Sequence, residues 1–227
     1  MTNEEFLYEE PKTLPVFLLL DCSGSMREND HIAVLNNAVN IMINSFKNID
    51  SVVASISVAV IAFGDDARLI SRLTQVSDIN EINLSAQGGT PFGEALIMAK
   101  NIIDDKENFP SRSFRPTIIC VSDGMPNTGW QSKLTEFKTT GRTPKCHCLA
   151  MSIGAEKGTE AFNVLSKFAD GDENVYFADS AKDIHKFFKF ITTTIRTRTE
   201  SINPNVIPKL DICDIPDVIE DEDDILY

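Results

Sequence analysis

The feature that most narrows the fold is the run Val16-Phe17-Leu18-Leu19-Leu20, apolar at every position and stopped by Asp21-Cys22-Ser23-Gly24-Ser25. A strand with one wet face alternates apolar and polar residues; an unbroken apolar run is expected of a strand covered on both faces. After the Ser-Gly-Ser turn, Ile32, Leu35, Val39, Met42, Ile43 and Phe46 recur at helical spacing through Lys47. Ser55 to Phe63 and Ala67 to Leu73 read as strands joined by Gly64-Asp65-Asp66, a hairpin signal that makes them antiparallel neighbours. Pro91 opens a helix running to about Asp105, with Ala95, Leu96, Met98, Ala99 and Ile102 expected inward.

The alternation continues along the chain. Arg115 to Ser122 is a buried strand, Gln131 to Thr140 a weaker helix, and Cys146 to Ile153 a strand. Thr159 to Ala169 is a helix, Asn174 to Ala178 a short strand, and a last helix runs from Ser180 to about Thr197. This order predicts an α/β fold, a Rossmann-like three-layer α/β/α sandwich whose mostly parallel sheet has one antiparallel edge strand. Ligands of such sheets sit beyond the carboxyl ends of the strands.

Beyond Glu200 the periodicity stops. Pro204, Pro208 and Pro216 interrupt any helix, and Glu220-Asp221-Glu222-Asp223-Asp224 repel one another. The expected organisation is an N-terminal lead over 1–13, one domain over 14–199 and a flexible acidic tail over 200–227. Ile212, Ile215, Val218, Ile219, Ile225, Leu226 and Tyr227 give the tail hydrophobic anchors. The net charge of −13 argues against nucleic acid, which needs clustered Lys and Arg to neutralise phosphates. No apolar run approaches the ~20 residues of a membrane span. The acidic N-terminus lacks the order of a secretory signal, so a cytoplasmic location is expected. The five cysteines lie mostly in strand-like segments and read as reduced packing residues. In Cys146-His147-Cys148 a strand turns both thiols one way and the imidazole the other, which favours core thiols over a zinc site.

Three polar clusters follow strands or precede helices: Asp21-x-Ser23-x-Ser25, Gly88-Gly89-Thr90-Pro91 and Ser122-Asp123-Gly124. Each alone is an ordinary cap or turn. Together they offer the carboxylates of Asp21 and Asp123 and the hydroxyls of Ser23, Ser25 and Thr90. That is the donor set of a hard divalent cation such as Mg²⁺, or Mn²⁺ or Ca²⁺. Two carboxylates leave a 2+ ion able to attract a third, so an Asp or Glu of a protein partner is the expected last ligand.

These residues resemble the von Willebrand factor A (vWA) family. Its metal-ion-dependent adhesion site (MIDAS) reads Asp-x-Ser-x-Ser, then a Thr, then an Asp, and Asp21, Ser23, Ser25, Thr90 and Asp123 match each position. The resemblance implies the fold above and a Mg²⁺ or Mn²⁺ completed by a partner's acidic side chain. Gly88 to Leu96 and Ser122 to Asn127 look similar to bacterial stand-alone TerY-type members, associated with tellurite resistance and stress responses. That likeness implies a protein kinase or a PP2C-type phosphatase as partner.

The alternative is a phosphotransfer or phosphatase-type hydrolase using Asp21 at a strand end. A haloacid-dehalogenase-like enzyme would carry a second acid two residues on, where this chain has Ser23. No Lys lies in the clusters, and His31, His147 and His185 have no evident catalytic placement. No catalytic residue is therefore assigned. The expected rim of the binding surface comprises Met26, Arg27, Asn29, Phe92, Met125, Asn127 and Trp130, with Arg112 and Arg115 flanking the same edge. Trp130 fits a core lid equally well. The acidic tail can also be imagined occupying its own metal site.

Overall fold

The computed structural model describes residues 11–110 and 112–216. Six strands form one sheet in the order β3-β2-β1-β4-β5-β6: β1 (Lys12–Asp21), β2 (Ala54–Phe63), β3 (Ala67–Gln75), β4 (Thr117–Ser122), β5 (His147–Ile153) and β6 (Val175–Ala178). All neighbours are parallel except β2 and β3, the hairpin expected at Gly64-Asp65-Asp66. Five α-helices flank it: α1 (His31–Lys47), α2 (Phe92–Asp104), α3 (Trp130–Thr139), α4 (Glu160–Ala169) and α5 (Ala181–Glu200).

The unbroken apolar run of β1 is explained by its place in the sheet. Leu14, Val16, Leu18 and Leu20 pack into the core beneath α1 and α5, and Phe17 and Leu19 into the core beneath α2, α3 and α4. Every one of these side chains is fully buried. Burying such a residue stabilises by about 1.5–3 kcal/mol each, so the β1 register is strongly fixed. That register sets the height at which Asp21 emerges.

Element boundaries shift slightly from expectation. Pro91 immediately precedes α2, and Phe92 and Ile103 are buried where Met98 and Ile102 are only partly so. Ala95, Leu96 and Ala99 face the core as expected; Ile103, four residues after Ala99, continues that face, while Met98 and Ile102 lie at its margin. The last helix extends to Glu200. Packing then continues past the expected boundary at residue 199. Pro204 and Ile215 are buried, Leu210 and Ile212 pack on the α5 side, and Lys189 Nζ donates to the Pro216 carbonyl at 3.3 Å. The run Glu220 to Asp224 and the anchors from Val218 to Tyr227 lie outside the described residues, as does most of the 1–13 lead.

The strand order places a topological switch between β1 and β4: the chain leaves β1 toward β2 and leaves β4 toward β5. Connections diverge there and open a crevice at the carboxyl ends of both strands. Leu20 pairs with Val121 in the parallel register, so Asp21 and Ser122 come out side by side.

Candidate metal centre

At this crevice the first and third clusters meet. Ser25 Oγ donates to Asp123 Oδ1 at 2.8 Å, Ser23 Oγ reaches the same oxygen at 3.5 Å, and the two serine hydroxyls lie 3.0 Å apart. Asp21 is anchored from both sides: Ser23 N donates to Oδ1 at 2.8 Å and Ser122 Oγ to Oδ2 at 2.5 Å. Ser122, which the sequence suggested only as part of a turn, is thus the residue that orients the first carboxylate.

The second cluster is set by backbone. Gly24 N donates to Gly88 O at 3.0 Å and Gln87 N to Cys22 O at 2.7 Å, so the loop before α2 lies along the loop after β1. Gly88 has φ +77°, and a Cβ there would sit 2.6 Å from the Asp65 backbone. No other residue fits this close approach. Gly24 has no such restriction; a Cβ would meet only Gly88 O, at 3.5 Å. Thr90 N then donates to Asn127 Oδ1 at 3.0 Å, and Asn127 N returns a bond to Thr90 O at 2.8 Å. Among the described residues no hydrogen bond joins the Thr90 side chain to the other four. These bonds clamp Thr90 to the residue four positions after Asp123.

The electrostatics follow from burial. Asp21 is fully buried, and desolvation pushes its pKa up to about 6 against the hydrogen bonds from Ser122 and Ser23, with the Asp123 charge adding a smaller push. Asp123 is also raised, first by desolvation, while the Ser25 hydrogen bond and the His31 charge pull it down. His31 opens α1 and has a buried Nδ1 without a hydrogen-bond partner. Two carboxylates close together, neither paired with a cationic side chain among the described residues, are the environment a divalent ion stabilises. Among the described residues no three His, Cys, Asp or Glu side chains gather about one point. An ion here would therefore depend on hydroxyl donors as well as Asp21 and Asp123. The donors present fit a hard cation, which would exchange the hydroxyl–carboxylate hydrogen bonds for coordination.

A model of the von Willebrand factor type A domain family matches residues 16–125, which span all five of these positions. The chain has the fold of a von Willebrand factor type A domain. The thrombospondin-related anonymous protein of Plasmodium falciparum is 25% identical over 177 residues, covering 73% of this chain and 31% of that protein. The chain thus spans about a third of that relative's length. Among solved structures, the pilus adhesin SpaC of Lactobacillus rhamnosus GG in an open conformation has a TM-score of 0.68 at 15% identity, over 84% of this chain and 31% of that one. Proximal thread matrix protein 1 of the mussel byssus, with a zinc-occupied MIDAS motif, has a TM-score of 0.60 at 18% identity over 84% of this chain and 46% of that one. The vWF domain of the type V pili tip protein Mfa5 from Porphyromonas gingivalis scores 0.60 at 12% identity over 83% and 96%. Likenesses this low in identity carry the vWA fold alone.

Several expected rim residues of the vWA domain are not on its rim. Met26 and Phe92 are fully buried, and Trp130 is 8% exposed, a lid on the core beside α4. Apolar residues next to a polar turn are claimed by the core because the turn lies directly above it. Met125 remains 41% exposed, and Arg27, Asn29 and Asn127 are also exposed. Arg112 and Arg115 lie at the other end of the molecule. They precede β4, whose carboxyl end carries the site, and Arg115 Nε donates to Lys145 O before β5 begins. Cys146 and Cys148 join the core under α3 and α4, where burial raises their thiols to about 12 and about 11. No helix among the described residues is long and apolar enough to cross a membrane.

Proposed function

We propose that this vWA domain is a metal-dependent protein-interaction module. Asp21, Ser23, Ser25, Thr90 and Asp123 hold Mg²⁺, or Mn²⁺ or Ca²⁺, directly or through water. An Asp or Glu of a protein partner completes the coordination. The observation that carries this reading is the meeting of Ser23 Oγ, Ser25 Oγ and Asp123 Oδ1 at the β1/β4 switch, beside an anchored Asp21. When bound, the cation supplies Lewis acidity toward the incoming carboxylate. The chain's residues supply geometry: Ser122 and Ser23 N fix Asp21, Asn127 fixes Thr90, and Met125 with Arg27 offers contact area around the opening.

Catalysis by Asp21 finds no support in this arrangement. That chemistry needs an acid or base beside the nucleophile, whereas among the described residues the Asp21 carboxylate is bonded by Ser23 N and Ser122 Oγ, and each oxygen keeps a lone pair for a cation. The likeness of residues 88–96 and 122–127 to TerY-type proteins supports a scaffold role in a cytoplasmic stress-response or phosphorylation assembly. A kinase or PP2C-type phosphatase would be the partner. The test is an affinity pull-down with the full chain in Mg²⁺ and in chelator. Capture of the same proteins with chelator, or by Asp21→Ala, contradicts the reading.

A further inference from the structure

The pole opposite the metal site collects positive charge in a chain whose net charge is −13. A pocket of about 400 Å³ opens there, lined by Lys12, Arg112, Ser113, Phe114 and Asn205. Lys12 Nζ sits 5.9 Å above the Phe114 ring, and Asn205 Oδ1 accepts from Arg115 N at 2.7 Å, which leaves Nδ2 as the donor end of that amide. Behind this wall Arg198 is wholly buried. It donates to Pro204 O at 2.7 Å, to Thr117 Oγ1 at 2.5 Å and to Arg115 O at 2.6 Å, three neutral oxygens. Among the described residues no salt bridge involves Lys12, Arg112, Arg115 or Arg198. The charges are close enough to oppose one another: burial and then the Arg115 charge hold Arg198 down to about 10.

A concave, partly apolar wall carrying cations that no described carboxylate pairs focuses field and attracts an anion. The donors are a guanidinium, an ammonium, an amide and a hydroxyl, which suit a tetrahedral oxyanion better than a single planar carboxylate. The pocket is far larger than one phosphate group, and the Phe114 ring gives an organic carrier a face to lie on. We propose that this pocket binds a phosphate monoester, with Arg112 and Lys12 taking the phosphate and Phe114 the group that bears it. Phosphate on a small molecule and phosphate on a peptide side chain share this chemistry. The proposal is independent of the metal site, which lies at the opposite ends of the same strands.

The experiment is an NMR titration of the ¹⁵N-labelled full chain in EDTA, so that no cation can hold phosphate. The probes are inorganic phosphate, free phosphoserine and a short phosphoserine peptide. Saturable shifts are expected at the amides of Ser113, Phe114 and Asn205, with both phosphoserine forms binding at least as tightly as phosphate. A gain from free phosphoserine to the peptide identifies a protein source; equal affinity identifies a small molecule. Arg112→Glu and Lys12→Gln, both exposed positions, should each weaken binding about tenfold or more while leaving the remaining spectrum in place. Non-saturating shifts, or the same affinity in Arg112→Glu, overturn the proposal. Tighter binding of an unphosphorylated peptide of residues 217–227 than of phosphoserine also overturns it, in favour of a polycarboxylate ligand.

Discussion

At the carboxyl ends of β1 and β4, Asp21 and Asp123 stand among hydroxyls with no cationic side chain ion-paired to them among the described residues. At the amino ends of the same strands, Lys12, Arg115 and Arg198 gather with no carboxylate paired to them, among the described residues. Between the two poles the strands are apolar at nearly every position. A buried charge without a counter-charge is costly, so a fold selected only for stability would neutralise both ends. The poles nevertheless differ. Arg198 spends its guanidinium on three oxygens that need donors, so it is structural as well as charged. Asp21 is held by Ser122 and Ser23, yet desolvation still wins and its pKa stays high.

The sharpest way to break the comparison is to remove each charge. Arg198→Leu leaves Pro204 O, Arg115 O and Thr117 Oγ1 without their donor and should cost about 3–5 kcal/mol, read from urea unfolding. Asp21→Asn should act oppositely in metal-free protein. Because the folded-state pKa is above the unfolded value, the native state holds its proton more tightly, and wild-type stability from this group is lost as pH rises from 3.8 toward about 6. At pH 8 in EDTA the variant should therefore be more stable by about 2–3 kcal/mol, while losing all stabilisation by Mg²⁺. A destabilised variant at pH 8 would show that the hydrogen bonds, not desolvation, govern the site.

A third test lies near the cationic pole. His147 is half-buried, and its pKa is held down to about 4 first by desolvation and then by Arg115 and Arg198. Its folded-state pKa lies below the unfolded 6.5, so stability should fall as pH drops from 6.5 toward about 4. The expected loss is about 1–2 kcal/mol after solvent screening, and it should vanish in His147→Gln. The smallest effect belongs to Met125→Ala: unchanged stability within about 0.5 kcal/mol, with partner affinity reduced a few-fold.

The layered fold was legible because each central strand is apolar throughout and each amphipathic helix keeps its period. Asp21, Ser23, Ser25 and Asp123 were legible as a set because they sit at strand ends that the fold makes adjacent. What escaped was whatever depends on rotation or on distant partners. Met26 and Phe92 read as rim because they neighbour polar loops, but the core beneath takes them; Trp130, which read equally as rim or core lid, is the lid. Arg112 and Arg115 read as flanking the site because the loop carrying them precedes β4; strand direction puts them a strand's length away. Ser122 and Asn127 lie inside the quoted motifs, yet their bonds to Asp21 and Thr90 cross from one cluster to another. Spacing along one chain does not show such pairs. The requirement for glycine fell on Gly88, because Asp65 approaches it from the hairpin.

The most direct measurement is calorimetric titration of Mg²⁺ and Mn²⁺ into EDTA-stripped full chain, beside Asp21→Ala and Asp123→Ala. One cation should bind per wild-type chain and none to either variant, with all three proteins folded by circular dichroism. Absence of binding to wild type at millimolar cation, or equal binding by the variants, contradicts the oxygen cluster at the β1/β4 switch as a metal centre.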